Sequence, residues 1–386
     1  MQPRYSLTHI TLYFLKLGTW GFGGPVALVN YMHRDLVENK AWITDEEYKE
    51  GLALAQLAPG PLAAQLGIYI GYIHYGLIGA TLTGLAFILP SFVMVILLGM
   101  AYQQYGGLPW MQAIFYGVGA SVVGIITISA YKLTIKSISK FEFPAMRSKW
   151  LLWTFYILSI VVTVVTQREE IWLFISCGVI YMLLKAPPAW LKKPASAPVV
   201  LLISTGFWKY DTNVLPKIAV FFAKAGAFVF GSGLAIVPFL HSGVVKEYGW
   251  LTENQFIDAV AVAMITPGPV VITVAFIGYL IAGFPGACVA ALATFLPCYI
   301  FTVALAPSFK KIAKNNTVKA FVEGITASVI GALVGAVIVI GVNSIKDIPA
   351  ALIAIATALI LIYSKKVQEP YLIGFAALIG LIIKFI

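Results

Sequence analysis

The chain has 386 residues, 60% of them hydrophobic and 11% charged, with a mean hydropathy of +0.91. A soluble domain carries about 25% charged residues, so this composition excludes a water-soluble globular protein and indicates a polytopic membrane protein set in a lipid bilayer. The net charge of +10 does not indicate a nucleic-acid partner, because Lys and Arg fall in short loops between apolar runs, as they do in cytoplasmic loops.

The N-terminus, MQPRYSLTHITLYFLKLGTWGFGG, has no apolar stretch ending at a small-residue cleavage site and reads as no removable signal peptide. The first apolar element covers about 5–33 and is interrupted by GFGGP at 21–25. The second, about 47–76, opens on TDEE, a capping box with Thr44 as N-cap and Glu47 three residues on, and is interrupted by APGP at 58–61. Four more elements follow at about 77–101, 109–131, 149–166 and 170–185. Beyond a linker at 186–212, six further elements lie at about 214–241, 254–281, 284–306, 318–343, 348–363 and 370–386. The first two of these are broken as well, by GSG at 231–233 and TPGP at 266–269, and TENQ (Thr252, Gln255) repeats the capping box.

The parallel is a duplication. Shifted by 208 residues, 16–61 meets 224–269 with fifteen identities in forty-six positions, among them Lys16 on Lys224, His33 on His241, Trp42 on Trp250 and Pro59-Gly60-Pro61 on Pro267-Gly268-Pro269. At a shift of 207 the match continues through Gly71-Tyr72, Pro90, Gly117, Ser121 and Gly124. Loop charge then sets orientation. Lys132, Lys136, Lys140, Arg147 and Lys149 lie between elements four and five of the first half, and the matching loop of the second half offers only Lys346. One loop earlier the bias reverses, with no charge in YQQYGGLP against Lys310, Lys311, Lys314 and Lys319. The expected fold is an all-α polytopic membrane protein of two inverted-topology repeats, 1–185 and 213–386, with broken transmembrane segments and about 10–13 membrane segments in all. Either all six elements of each half span and the linker crosses too, or one broken element per half is re-entrant.

From Thr44 to Pro59 is about 22 Å of helix at 1.5 Å per residue, and its first turns are polar, so the PGP break falls near the midplane. Irregular backbone there survives only inside protein or along a wet cavity. A half-helix restarting at proline presents free N–H groups and a positive dipole end, which suits an anion. Substrate-binding candidates are therefore Phe22, Gly23, Gly24, Pro25, Pro59, Gly60 and Pro61, with their partners Gly231, Ser232, Gly233, Pro267, Gly268 and Pro269. The alternative is that Gly and Pro only kink the helices or permit close packing. Lys16 and Lys224 would supply fixed positive charge or else snorkel to the interface. Gln56, near the first PGP break, has Met264 at the matching position, which makes any site pseudo-symmetric. His33, His241, Glu50 and Asp258 are weaker candidates for ion coupling, against interfacial hydrogen bonding for the histidines and helix-dipole stabilisation for the acids. Cys177, Cys288 and Cys298 have no CxxC spacing and read as packing residues. No phosphate loop, metal cluster or Ser/His/Asp signature is present, so neither a cofactor, a metal nor an enzyme is expected.

In FGGP, W.T..E and QLAPGP, and in the second copy's FGSG, WLT..QF and TPGP, the chain resembles the chromate ion transporter family in its long two-domain form. The resemblance covers essentially the whole chain. It implies an inner-membrane carrier that exports chromate, with sulfate the structural analogue, and that gives chromate resistance. Its motif positions fall on Phe22 to Pro25, Pro59 to Pro61, Gly231, Gly233 and Pro267 to Pro269. The residues alone reach an inverted-repeat anion carrier; chromate comes from the resemblance. A channel, a carrier of another solute, an intramembrane enzyme and a structural subunit are the competing classes. The sequence is silent on oligomeric state, and a homo-oligomer is compatible with it.

Overall fold

Capping boxes, prolines and a few left-handed glycines fix where these helices begin and reverse. The structure, a computed structural model, describes residues 5–22, 24–139, 141–168, 170–188, 214–228, 233, 236–309, 315–364 and 367–385. Every regular element among them is helical. Helices α1 (Leu7–Trp20) and α2 (Gly24–Met32) lead through a π-helical turn, His33–Asn39, to α3 (Asp45–Leu57) and α4 (Leu62–Tyr105). Then come α5 (Pro109–Ser137), a short α6 (Phe143–Ser148), α7 (Trp150–Thr166) and α8 (Ile171–Lys185). The second half repeats the order with α9 (Val214–Phe228), α10 (Ile236–His241), α11 (Glu253–Ile265), α12 (Thr273–Leu305), α13 (Asn316–Ser344), α14 (Ile348–Tyr363) and α15 (Glu369–Phe385).

Both broken elements of the first half are hairpins, where the sequence allowed one at most. In the first, α1 runs in and α2 runs back. Leu28 lies beside Gly21 at the tip, the Tyr13 hydroxyl reaches Asp35 at 3.4 Å, and Tyr5 stacks on Trp42 at 4.9 Å at the base. In the second, α3 opens on the expected capping box, and the chain reverses at Pro59-Gly60-Pro61. Gly51 packs on the Tyr69 ring, and Glu47 meets His74 at 3.3 Å where the two limbs re-emerge. Length explains the outcome: α3 has 13 residues, about 20 Å at 1.5 Å each, too short for a hydrocarbon core of about 30 Å. Gly60 sits at φ 142°, a left-handed value only glycine tolerates cheaply, and that allows the reversal.

A second reversal occurs inside α4, at Gly76 with φ 58°. Thr83 Oγ1 donates to the Gly67 carbonyl at 3.0 Å and Gly79 abuts Gly71, so 77–105 runs antiparallel to 62–75. Gly283 at φ 61° does the same in α12, setting Gly278 against Gly286. The long limbs are apolar enough to cross a bilayer, as are α5 and α13.

The two halves are inverted. The long limbs of α4 and α12 lie antiparallel, with the Thr81 and Tyr299 hydroxyls 2.8 Å apart near one end and Phe92 against Phe284 near the other. Helix α7 runs parallel to α13, Tyr156 lying at Gly331 and Ile160 at Gly335. Since α7 starts on the face where α5 ends, α5 and its equivalent α13 point in opposite directions. The halves also exchange packing: α13 holds α7 and α8, while α5 holds α14 and α15. Small residues permit these approaches. Gly117 lies on the backbone of Ala376, Gly324 on that of Cys177, and Ser159 bonds Ser328 at 2.6 Å.

Candidate functional site

The hairpin tips of the two halves meet. The Gly268 N–H donates to the Gly21 carbonyl at 2.9 Å, joining the second tip of one half to the first tip of the other. Ser91, on the long limb of α4, donates to the Pro267 carbonyl at 2.7 Å and lies 3.3 Å from the Gly18 carbonyl. Its equivalent, Cys298 on α12, packs against Gly60, the corresponding glycine of the opposite tip. Gly233 adjoins Val270 and Val271 just past Pro269. The broken segments thus converge at the interface between halves.

At both PGP tips the returning helix starts without a side-chain cap, behind Pro61 and behind Pro269. Leu62, Ala63, Ala64, Val270, Val271 and Ile272 are all buried there, and of these Ile272 already donates its N–H to the Pro269 carbonyl at 2.9 Å. Initial N–H groups of a helix have no partner inside it, so a buried, uncapped start is suited to receive an anion. Gln65 stands one turn behind Pro61, fully buried. Its Nε2 donates to the Pro59 carbonyl at 2.8 Å, and its Oε1 is buried with no partner. An open acceptor beside open donors fits a ligand that carries both functions, such as water or a protonated oxyanion.

A cleft of about 760 Å³ opens along the outer side of the first hairpin and ends at Gly21 and Phe22. Lys16, Arg34 and Lys40 line it, with Asp35 as its one carboxylate. Arg34 Nε lies 3.0 Å from Asp35, whereas Lys40 sits over the Trp42 ring at 4.1 Å. An aromatic face holds an ammonium in place without neutralising it.

Other sequence candidates fall elsewhere. Gly23, Gly231 and Ser232 lie outside the described residues. Phe22, Gly24 and Pro25 flank the first tip, and Gly24 takes φ 71° with open space around it. Lys16 lines the cleft, while Lys224 is exposed on α9. Gln56 is exposed on α3, so the amide buried at this tip is that of Gln65. His33 and His241 stand at the hairpin bases, away from the tips. His33 bonds Asp45 at 3.1 Å and the buried His241 bonds Glu253 at 2.6 Å, in each half tying the first hairpin to the start of the second. Burial alone would raise the Glu253 carboxyl, but hydrogen bonds from His241 and Lys246 bring it to about 2. Glu50 bonds the Tyr69 hydroxyl, and the buried Asp258 accepts from Tyr102 at 2.7 Å. Under the repeat shift Tyr69 meets Phe276 and Tyr102 meets Phe309, so each acid has one tyrosine, supplied from a different limb. Ser91, Arg34 and Lys40 went unrecognised in the sequence, because comparing repeats rewards identities and none of the three is repeated.

The sequence profile of the chromate transporter family matches residues 8–182 and again 216–381. The chain belongs to the chromate transporter family. Among its relatives is a chromate transport protein of Cupriavidus metallidurans, 61% identical over 98% of this chain and 94% of the relative. A probable chromate transport protein of Synechococcus elongatus is 55% identical over 99% and 97%. A chromate transport protein of Pseudomonas aeruginosa is 29% identical over 87% and 81%. No solved structure matches the chain. For this member of the chromate transporter family, each matched segment contains one PGP tip, and each tip is finished by a residue of the other segment.

Proposed function

We propose that the chain is a secondary transporter that exports chromate across the cytoplasmic membrane and thereby gives chromate resistance. The observation that carries this reading is the meeting of hairpin tips from opposite halves, Gly268 on Gly21, beside two buried helix starts without side-chain caps. A tetrahedral oxyanion is bound there by the backbone N–H groups that open the returning helices just past Pro59-Gly60-Pro61 and Pro267-Gly268-Pro269, with the segments around 22–25 and 231–233 beside them. Lys16 and Lys224 contribute positive charge. Residues 1–185 and 213–386 are two units joined by 186–212, and because each packs its rear helices on the other, movement of the paired hairpins against those shared helices exposes the tips to each face in turn. Glu50 and Asp258, each hydrogen-bonded to a tyrosine, are the groups proposed to carry coupling protons, and His33 and His241 hold the hairpins in register. The chain is a carrier and not an enzyme.

The test is chromate uptake into inverted membrane vesicles, with and without an imposed pH gradient and with excess sulfate. Saturable uptake that sulfate suppresses, and that a Pro59→Ala/Pro61→Ala variant weakens, is the expected result. A pH-gradient dependence lost in Asp258→Asn identifies the coupling ion as a proton. Uptake no greater than in vesicles lacking the protein would remove chromate from the reading.

A further inference from the structure

Matched by the 208-residue shift, the first hairpin of one half carries an open cationic cleft, and at the described positions of the other aromatic rings stand where its ammonium lies. In the first half the Lys40 ammonium lies over Trp42 at 4.1 Å and over Tyr13 at 5.3 Å. The 208-residue shift carries Lys40 to Tyr248, Tyr13 to Phe221, and Trp42 to Trp250. There the Tyr248 ring stacks on Trp250 at 4.3 Å and meets Phe221 at 5.7 Å, so an aromatic ring fills the slot that an ammonium occupies in the first half. Arg34 becomes Ser242 and Asp35 becomes Gly243, over which Phe221 closes tightly. Among the described residues, the three lysine and arginine side chains of the open cleft face one carboxylate, an excess of two positive charges at the approach to Phe22.

The open cleft faces the cytoplasm. It lies on the face where the long limb of α4 starts, which is also the face where α5 ends and α7 begins. The loop there carries Lys136, Arg147 and Lys149, the cytoplasmic signature.

We propose that this cleft is a loading subsite for a tetrahedral oxyanion, formed on the cytoplasmic face by Lys16, Arg34 and Lys40; on the other face Lys224 keeps the first charge, while Ser242 and Tyr248 replace the other two. It rests on the oxyanion-carrier reading above. A cleft of one charge sign with low-dielectric walls concentrates the counter-ion at its inner end, and the effect is screened by salt. The carrier therefore has a lower KM at its cytoplasmic face than at its outer face.

The test exchanges the first-half residues for those the second half carries. Arg34→Ser/Lys40→Tyr protein is compared with wild type in two ways: chromate uptake by inverted and right-side-out vesicles, and equilibrium dialysis of radiolabelled chromate against the whole protein in nanodiscs. In inverted vesicles the variant is expected to raise KM about tenfold, as loss of charge-assisted contacts does, with kcat unchanged and the salt dependence of KM gone. In right-side-out vesicles KM stays as in wild type. Asp35→Asn, which keeps an acceptor for Tyr13, shifts KM the opposite way and guards against a folding artefact. Wild-type uptake with KM and salt dependence unchanged in both variants would overturn the subsite alone. Chromate binding weakened about tenfold in the nanodisc variant, without uptake by wild type, would keep the subsite and sink the carrier. Neither binding nor uptake by wild type would sink both.

Discussion

Among the described residues, the side-chain hydrogen bond at Pro267-Gly268-Pro269 comes from the opposite half, whereas that at Pro59-Gly60-Pro61 comes from the same hairpin. Ser91 bonds the Pro267 carbonyl and Gly268 bonds Gly21, both across the interface. At the other tip the serine is replaced by Cys298, a weak donor, and the bond to the Pro59 carbonyl comes from Gln65. Duplication has preserved the backbone reversal at both tips, and the source of the side-chain hydrogen bond has migrated. Among the described residues, one tip is tied by a serine of the opposing half and the other by an amide of its own hairpin, so movement between the tip and that serine breaks a bond at the first that the amide keeps at the second.

The sharpest way to break this comparison is Gly268→Ala. Gly268 sits at φ 98° and an added Cβ overlaps Ser91 Oγ, so the variant should lose about 3 kcal/mol or fail to fold. Thermal unfolding in detergent measures it, and a Ser91→Gly second site should restore part of the loss. Gly60→Ala should cost less, because its nearest atom is the movable amide of Gln65 at 2.7 Å. If both alanines cost the same, the tips are held alike and the contrast is wrong.

Next come the hairpin-base histidines. His241 is 2% exposed and bonded to Glu253, whereas a third of the His33 side chain is exposed. His241→Ala should destabilise by about 2–3 kcal/mol and His33→Ala by less than about 1 kcal/mol, read as a difference in unfolding temperature. Ser91→Ala should cost about 1 kcal/mol through the lost bond to Pro267, and Cys298→Ala less, as no comparable bond is removed. Equal costs would mean that Ser91 does not tie the tip. The smallest effect concerns acid. Glu253 has a folded value of about 2, below its unfolded value, so its stabilisation is complete above about pH 4.5 and fades as pH falls towards 2. A Glu253→Gln protein should lack that part of the acid sensitivity in a pH series of unfolding temperatures.

Local features of this fold were legible. The capping boxes at Thr44 and Thr252, the PGP breaks and the inverted loop charge depend on residues a few positions apart, and each appears where the sequence puts it. The reversals at Gly76 and Gly283 fall where the sequence ends one element and starts the next, whereas reversal at both broken elements of a half was not legible, because a Gly-Pro break does not show which way the chain leaves it. Interfacial hydrogen bonding was one of the two readings of the histidines, but their partners were not legible. Asp45 and Glu253 occupy matching positions too, but a histidine–carboxylate bond across twelve residues requires the π-helical turns that bring the pair together. The cleft stayed hidden because Arg34 and Lys40 are the points at which the halves differ.

The exchange of packing partners has a bearing on how the protein is made. Helices α7 and α8 find their main partner in α13, and α5 finds its own in α14 and α15. A nascent chain inserted through residue 185 therefore holds membrane helices whose small-residue faces, at Ser159 and Gly178, meet only lipid until Ser328 and Ile325 have been synthesised. The first half cannot mature ahead of the second. Cover for α5 also comes late, where Ala376 and Gly380 settle against Gly117, so loss of Glu369–Phe385 would uncover that part of α5, made far earlier.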